Sequence, residues 1–252
     1  MSELYKTTAL VLHSTRWSES SKIVHLFTPD KGIFKVIAKG ALQPKSDFRG
    51  VLETITYIEI VVAHKESRGL QILSAASVIN SFLRTKENLN KTAISFSFIE
   101  LIEQFLKLHE PVPDFFHYTI QAIFSLDENS YQNLKLYLWQ FILNLSMILG
   151  FGWNFNQCLK CKQPLSQEQF FLDYQQGGVI CRNCQQNRKL NGLEIDDTQL
   201  KTLKKLNTVK LISSQSLSEN NNNKKDFTNI LLKHLSYHTD TFVELNSLKL
   251  YI

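Results

Sequence analysis

The chain has 252 residues, 43% hydrophobic and 20% charged, with a formal net charge of +5. That balance excludes a chain that is disordered throughout, and the length points to two or three domains with ample core. The mild basic excess suits an anionic partner and equally a plain basic surface. Glu3 and Lys6 interrupt the first residues, where no long apolar run follows, so the expectation is a cytoplasmic chain without a secretion signal.

Five segments between residues 7 and 82 read as strands: 7–15, 21–27, 32–39, 52–62 and 70–79. Each is rich in β-branched and aromatic residues, and turn signals such as PDKG and ESRG separate them. Five strands in so short a span point to a small barrel, either an OB-fold or an SH3-like one. In an OB barrel the ligand sits around the second and third strands and the adjoining loops, and here residues 40–50 form the longest break.

Alternation along 33–39 puts Phe34, Val36 and Ala38 on one face, suited to a core, and Ile33, Lys35, Ile37 and Lys39 on the other. Lys35 and Lys39 are then roughly 13 Å apart, from a rise of about 3.3 Å per residue. With Lys31, Lys45 and Arg49 they make five positive residues against Asp47 alone between 31 and 49. Cations gathered on and beside a barrel face suit a phosphate backbone; a solvated edge strand kept soluble by lysines is the competing account. Phe48, Tyr57 and Trp17 could stack on bases, and Phe48 is favoured because it sits in a polar loop among basic residues.

After Phe82 the apolar period changes. Ile94, Phe98, Leu101, Phe105 and Leu108 repeat every three or four residues, which predicts a helix capped by Asn90 and ended by Pro111 and Pro113. Asp114 is placed as the cap of a second helix to about Leu126, and Ser130 as the cap of a third that stops at Gly150. No charge falls between Leu136 and Trp153, but Gln140, Asn144 and Ser146 interrupt the run, so it reads as a buried core helix and not a membrane span. Two further helices are expected at 200–209 and 224–242, joined by a polar surface loop over 213–223.

The strongest local signal is Cys158-x-x-Cys161 followed by Cys181-x-x-Cys184. Each pair puts two sulfurs on one turn, and a hairpin with Gly177 and Gly178 at its tip can bring the turns around one ion. Four thiolates close a tetrahedral Zn2+ site with no position for an activated water, so the zinc is expected to be structural. Two disulfides are the competing account, disfavoured in a cytosolic chain. Lys160, Lys162 and Arg182 flank the sulfurs and would offset their charge, or simply lie on solvated surface.

No enzyme signature is present: G-x-S-x-G, H-E-x-x-H and G-x-G-x-x-G are all absent. His234 and His238 share a helix face without acidic ligands, which favours surface or packing roles over a metal. Glu100 and Glu103, the best acidic pair, share another without a histidine partner, which favours solvated surface. The chain is expected not to be an enzyme.

The order of these parts resembles a known family. The run ESSKIVHLFT at Glu19 to Thr28, GIFKVIAKG at Gly32 to Gly40, and the two cysteine pairs together are similar to the bacterial DNA repair and recombination-mediator family RecO. The resemblance implies an α+β multidomain chain. Its parts would be an OB-fold nucleic-acid-binding domain (1–82), a helical domain (83–155), a zinc-ribbon-like module (156–190) and C-terminal helices completing the helical domain (191–252). It implies binding of single- and double-stranded DNA, strand annealing, and action with RecR and single-stranded DNA-binding protein (SSB), through the C-terminal tail of SSB, to help load RecA. The family's nucleoid association and lack of membrane contact come with it. DNA-contact roles carry over to Lys35, Lys39, Lys45, Arg49, Arg16 and Lys22. Leu42 and Gln43 depart from the family, which commonly has a basic residue there. An adaptor that holds protein partners, with only incidental DNA affinity, is the alternative.

Overall fold

A computed structural model describes residues 3–129, 133–166, 168–185, 192–208 and 225–251. The chain is α+β and divides into two compact units, residues 1–128 with 247–252, and residues 129–246.

The first unit is built on five strands: β1 (Glu3–Arg16), β2 (Lys22–Thr28), β3 (Gly32–Ala38), β4 (Thr56–His64) and β5 (Gln71–Asn80). They close in the order β1-β2-β3-β5-β4, with β3 parallel to β5 and β4 returning to β1. This is the connectivity of an OB barrel, and it excludes the SH3-like alternative. The alternating apolar residues face inward as expected: Val11, Val24, Leu26, Phe34, Val36, Ala38, Ile58, Ile60 and Val62 form one buried cluster. A bulge between Val11 and His13 adds one residue to β1, a device that re-aims the side chains beyond it.

Three helices follow: α1 (Leu83–Lys86), α2 (Leu89–Phe105) and α3 (Pro113–Glu128). The first was not expected. The α2 cap is Asn88, whose side chain accepts from the Lys91 N–H at 3.0 Å, and not Asn90. Pro113 takes the first position of α3, where its missing N–H costs nothing, so Asp114 lies in the first turn instead of capping it. Phe116 of α3 meets Phe27 of β2 edge-on at 5.3 Å, so part of the outer barrel wall is covered. Leu108, assigned to the helix by its spacing, lies outside it and pairs through its backbone with Ile33, which is buried and does not extend an open face.

Gly32 sits at φ +60°, and a Cβ there would lie 2.1 Å from the Glu110 carbonyl oxygen. Gly32→Ala should therefore destabilise the fold by about 1–3 kcal/mol from the backbone conformation alone and further from the clash, read as a lower urea midpoint of unfolding.

The second unit contains α4 (Lys135–Ile148), β6 (Asn154–Cys158), β7 (Gln169–Asp173), β8 (Gly178–Cys181), α5 (Arg182–Gln185), β9 (Gly192–Asp196), α6 (Asp197–Thr208) and α7 (Thr228–Thr239). A 3-10 turn, Asn246–Leu250, follows near the end of the described residues and lies, from Ser247 on, in the first unit. Ser130 and the polar loop 213–223 lie outside the described residues. α4 is buried on nearly all sides, as its apolar run predicts, and its polar groups are satisfied internally: the Trp139 indole donates to Thr228 Oγ1 at 2.9 Å, and Gln140 donates to the Leu206 carbonyl. Among the described residues no helix is long and apolar enough to cross a membrane.

His234 has the packing role its sequence context favours. Its Nδ1 and Nε2 each lie 2.6 Å from a carbonyl oxygen, of Tyr174 and Phe151 respectively, which ties α7 to the β7–β8 turn and to the segment after α4. Burial lowers its pKa; the two carbonyls oppose that, and His238 adds to the lowering. A histidine whose folded pKa is lowered contributes stability that is complete above the unfolded value of about 6.5 and is lost as pH falls below it. The unfolding midpoint should thus drop between pH 7.5 and 5.5, and drop less in His234→Gln, as followed by circular dichroism.

Candidate nucleic-acid interface and metal centre

One end of the barrel collects cations from three segments. Arg16, at the end of β1, is paired directly with Lys22 of β2, which is paired with Ala38 of β3, the residue before Lys39. The Leu42 N–H donates to the Ser20 carbonyl at 2.9 Å and fastens the β3–β4 loop onto the β1–β2 turn. That loop carries Lys45 and Arg49. Arg16, Lys39, Lys45 and Arg49 are exposed and Lys22 is half-buried. Lys39, Lys45 and Phe48 line a hollow of about 260 Å³, which Asp47 also borders.

The aromatic residues are arranged differently from the expectation. Phe48 is half-buried and packs against the barrel core, so it anchors the loop, and Tyr57 lies near Phe116. Trp17 is 62% exposed beside Arg16 and is the ring presented to solvent.

Lys35 is exposed midway along β3 on the outer face, so Lys35 and Lys39 are not flanked by an uncovered row of aliphatics: Ile33 is buried and Ile37 half-buried. Lys35 lines a second cavity, of about 400 Å³, with Lys31, Arg68, Tyr5 and Glu66. Arg68 is a cation that strand-by-strand reading missed, because it lies in the β4–β5 loop, far along the chain from β3. The Lys31 ammonium lies 5.7 Å from the centre of the Tyr5 ring. Among the described residues, Lys35, Lys39, Lys45, Arg49, Arg16 and Lys22 take part in no ion pair; Arg16 donates its Nε–H to the Ser18 carbonyl.

The acidic pair on α2 is not a solvated face. Glu100 accepts from the Ser247 N–H at 2.9 Å. Glu103 Oε1 lies 2.9 Å from His13 Nδ1 and 3.4 Å from His25 Nδ1, so the histidine partners absent from its own helix come from β1 and β2.

The four cysteine sulfurs lie within 4.8 Å of one another. Cys158 ends β6, Cys181 ends β8, Cys161 follows in the turn after β6, and Cys184 stands on α5. β7 and β8 form the expected hairpin, inside a four-stranded sheet ordered β6-β8-β7-β9. The turn after Cys158 closes by a bond from the Lys162 N–H to the Cys158 carbonyl at 2.9 Å, with Lys162 at φ +60°.

The Cys161 and Cys181 sulfurs are 3.9 Å apart, against about 3.8 Å for two thiolates on a tetrahedral zinc with bonds of about 2.3 Å. Burial pushes the Cys158 thiol up, but N–H groups of Cys181, Cys161 and Lys160 outweigh it and bring its pKa down to about 6. The donor set and spacing fit a closed four-sulfur metal site, and the N–H groups around Cys158 favour the thiolate of that one ligand.

An OB barrel with cations at one end, in a chain that also carries helices and a four-cysteine cluster, is an architecture suited to nucleic acid. Two family models cover nearly the whole chain: Recombination protein O N terminal over residues 1–82 and Recombination protein O C terminal over 86–248. The chain belongs to the RecO family of DNA repair proteins. It is 37% identical over 148 residues to DNA repair protein RecO of Salinibacter ruber, an alignment spanning 58% of this chain and 56% of that one. It is 28% identical over 208 residues to the RecO protein of Dehalococcoides mccartyi (82% and 76% of the two chains). With that of Caldicellulosiruptor bescii it shares 27% over 217 residues (83% and 86%).

Proposed function

We propose that the barrel, residues 1–82, is a DNA-binding domain that takes single and double strands across Arg16, Lys22, Lys39, Lys45 and Arg49, with Lys35 extending the contact along β3. The observation that carries this reading is the convergence, at one barrel end, of cations from β1, β2 and the β3–β4 loop that make no ion pair among the described residues, with the exposed Trp17 next to Arg16 in the chain. Cations neutralise phosphates and release counterions, and an exposed ring stacks on any base. Two bare strands repel each other. A surface that neutralises both lowers that repulsion and raises their local concentration, which favours annealing with no bond made or broken.

Family membership supports the wider role: cooperation with RecR and with the C-terminal tail of SSB to help load RecA. The four-cysteine module, near residues 156–190, holds a structural Zn2+ through Cys158, Cys161, Cys181 and Cys184. Lys160, Lys162 and Arg182 border that module on exposed surface. The test is a fluorescence titration of a labelled single strand at several salt concentrations. A steep fall of affinity with salt is expected; weak binding with little salt slope would overturn the reading in favour of a protein-binding adaptor.

A further inference from the structure

We propose that His13, His25 and Glu103 form a second metal site, open on one side, for a divalent transition ion of the Zn2+, Co2+ or Ni2+ class. Three elements build it. β1 and β2 run antiparallel with His13 directly opposite His25, so both rings leave the same face of the sheet. That face is the outer one only because of the bulge between Val11 and His13: Val11 points into the barrel, and without the extra residue His13 would point inward too. α2 then lays Glu103 against the pair.

The two imidazoles stand 3.8 Å apart, centre to centre, tilted by 37°. Their Nδ1 atoms converge on a single oxygen of Glu103, and the three ligand atoms all lie within 4.8 Å of one another. A tetrahedral ion with bonds of about 2.0–2.1 Å to nitrogen and oxygen has ligand atoms about 3.3–3.4 Å apart. The 2.9 and 3.4 Å separations reach that with shifts of a few tenths of an ångström.

Two imidazoles and one carboxylate suit zinc, cobalt and nickel, and are a poor set for magnesium or calcium, which prefer oxygen donors. Three protein ligands leave a coordination position free. The side chains are 36%, 17% and 31% exposed, so an ion and a small fourth ligand can reach them. Lys35 is paired with His25 across β2 and β3. Its ammonium opposes a bound cation, the Glu103 carboxylate offsets it, and the fourth ligand is therefore expected to be an anion or water. Without metal the same atoms are held by hydrogen bonds from the rings to the carboxylate.

The test uses the full chain loaded with a single equivalent of zinc, which the four thiolates take first, then titrated with Co2+ by calorimetry. One equivalent should bind. It should bind at least 10-fold more weakly in His25→Ala and in Glu103→Gln, with the thermal midpoint of each variant measured alongside. Lys35→Ala, which removes an exposed cation and no ligand, should bind Co2+ more tightly, and this decides the matter if the other two variants fold poorly. Failure of the unmodified chain to take up cobalt, or equal affinity in all four proteins, would overturn the site. Neither result bears on DNA binding, which is measured without added metal.

Discussion

The double variant Lys35→Glu/Lys39→Glu is expected to bind a labelled single strand on the order of 100-fold more weakly than the unmodified chain at low salt. Both ammonium groups are exposed and outside any ion pair, so they are available to phosphates. Reversing their sign removes two attractions and adds two repulsions. For every phosphate no longer neutralised, the dependence of log affinity on log salt should also flatten by about 0.7 for a single strand.

The inward residues of β3, Phe34, Val36 and Ala38, are untouched, so the thermal midpoint should change little. Reversal at position 35 does place a negative charge near Glu103, and the paired control Lys35→Ala/Lys39→Ala avoids that. It should bind roughly 10-fold more weakly and melt as the unmodified chain does. Unchanged affinity and an unchanged salt slope in both variants would remove the barrel from the DNA-binding surface.

What could be read along the chain was whatever depends on neighbours in sequence. The five strands announced themselves by β-branched alternation bounded by turn residues, and the structure differs at their ends by only a few residues. The cysteine pairs were legible because two sulfurs on one tight turn need only a fixed short spacing. The pairing of Ile33 with the backbone at Leu108 and His109 was not legible, because that segment lies beyond the end of a helix whose apolar period ran on past its real stop. The Glu103 cluster was hidden for a similar reason. Its histidines are on strands far upstream, and a bulge that leaves no mark in the residue pattern decides which way His13 faces.

Phe48 and Trp17 show the limit of reading a loop by composition. A polar loop among basic residues made Phe48 the natural stacking ring. The barrel end, however, has a gap that the β3–β4 loop must plug, and Phe48 fills it along with Val51 and Ala41. Trp17, in the short turn after β1, has no such gap beneath it and stays outside. Its ring accordingly becomes the better target: Trp17→Ala should weaken single-strand binding by about 1–3 kcal/mol while leaving the salt slope unchanged, since an indole neutralises no phosphate.

Cys158→Ser should abolish stoichiometric zinc and loosen the two cysteine turns of the second unit. The packed cluster around the sulfurs is small: Cys158, Ile180 and Cys181, with Leu159, Leu165 and Cys184 beside them. So few apolar groups cannot hold the two cysteine turns together, whereas Phe155, Phe170, Leu172 and Val179 give the strands behind them a buried core of their own. Zinc bound to four thiolates supplies on the order of 10–16 kcal/mol in modules of this kind, which exceeds what that cluster contributes. Cys158 is the fully buried ligand, and its sulfur also accepts the Cys181 N–H at 3.4 Å, joining the two turns independently of any metal. Serine lacks both the soft donor and the size to replace it. Metal analysis after dialysis should give one zinc per unmodified chain and a small fraction of that in the variant. Proteolysis should then cut between residues 158 and 185 in the variant first. The barrel contains no cysteine, so its circular dichroism contribution and its binding of a single strand should persist. An unmodified chain that carries no zinc after dialysis, or that resists protease equally well with and without zinc, would show that the sulfurs hold no structural metal.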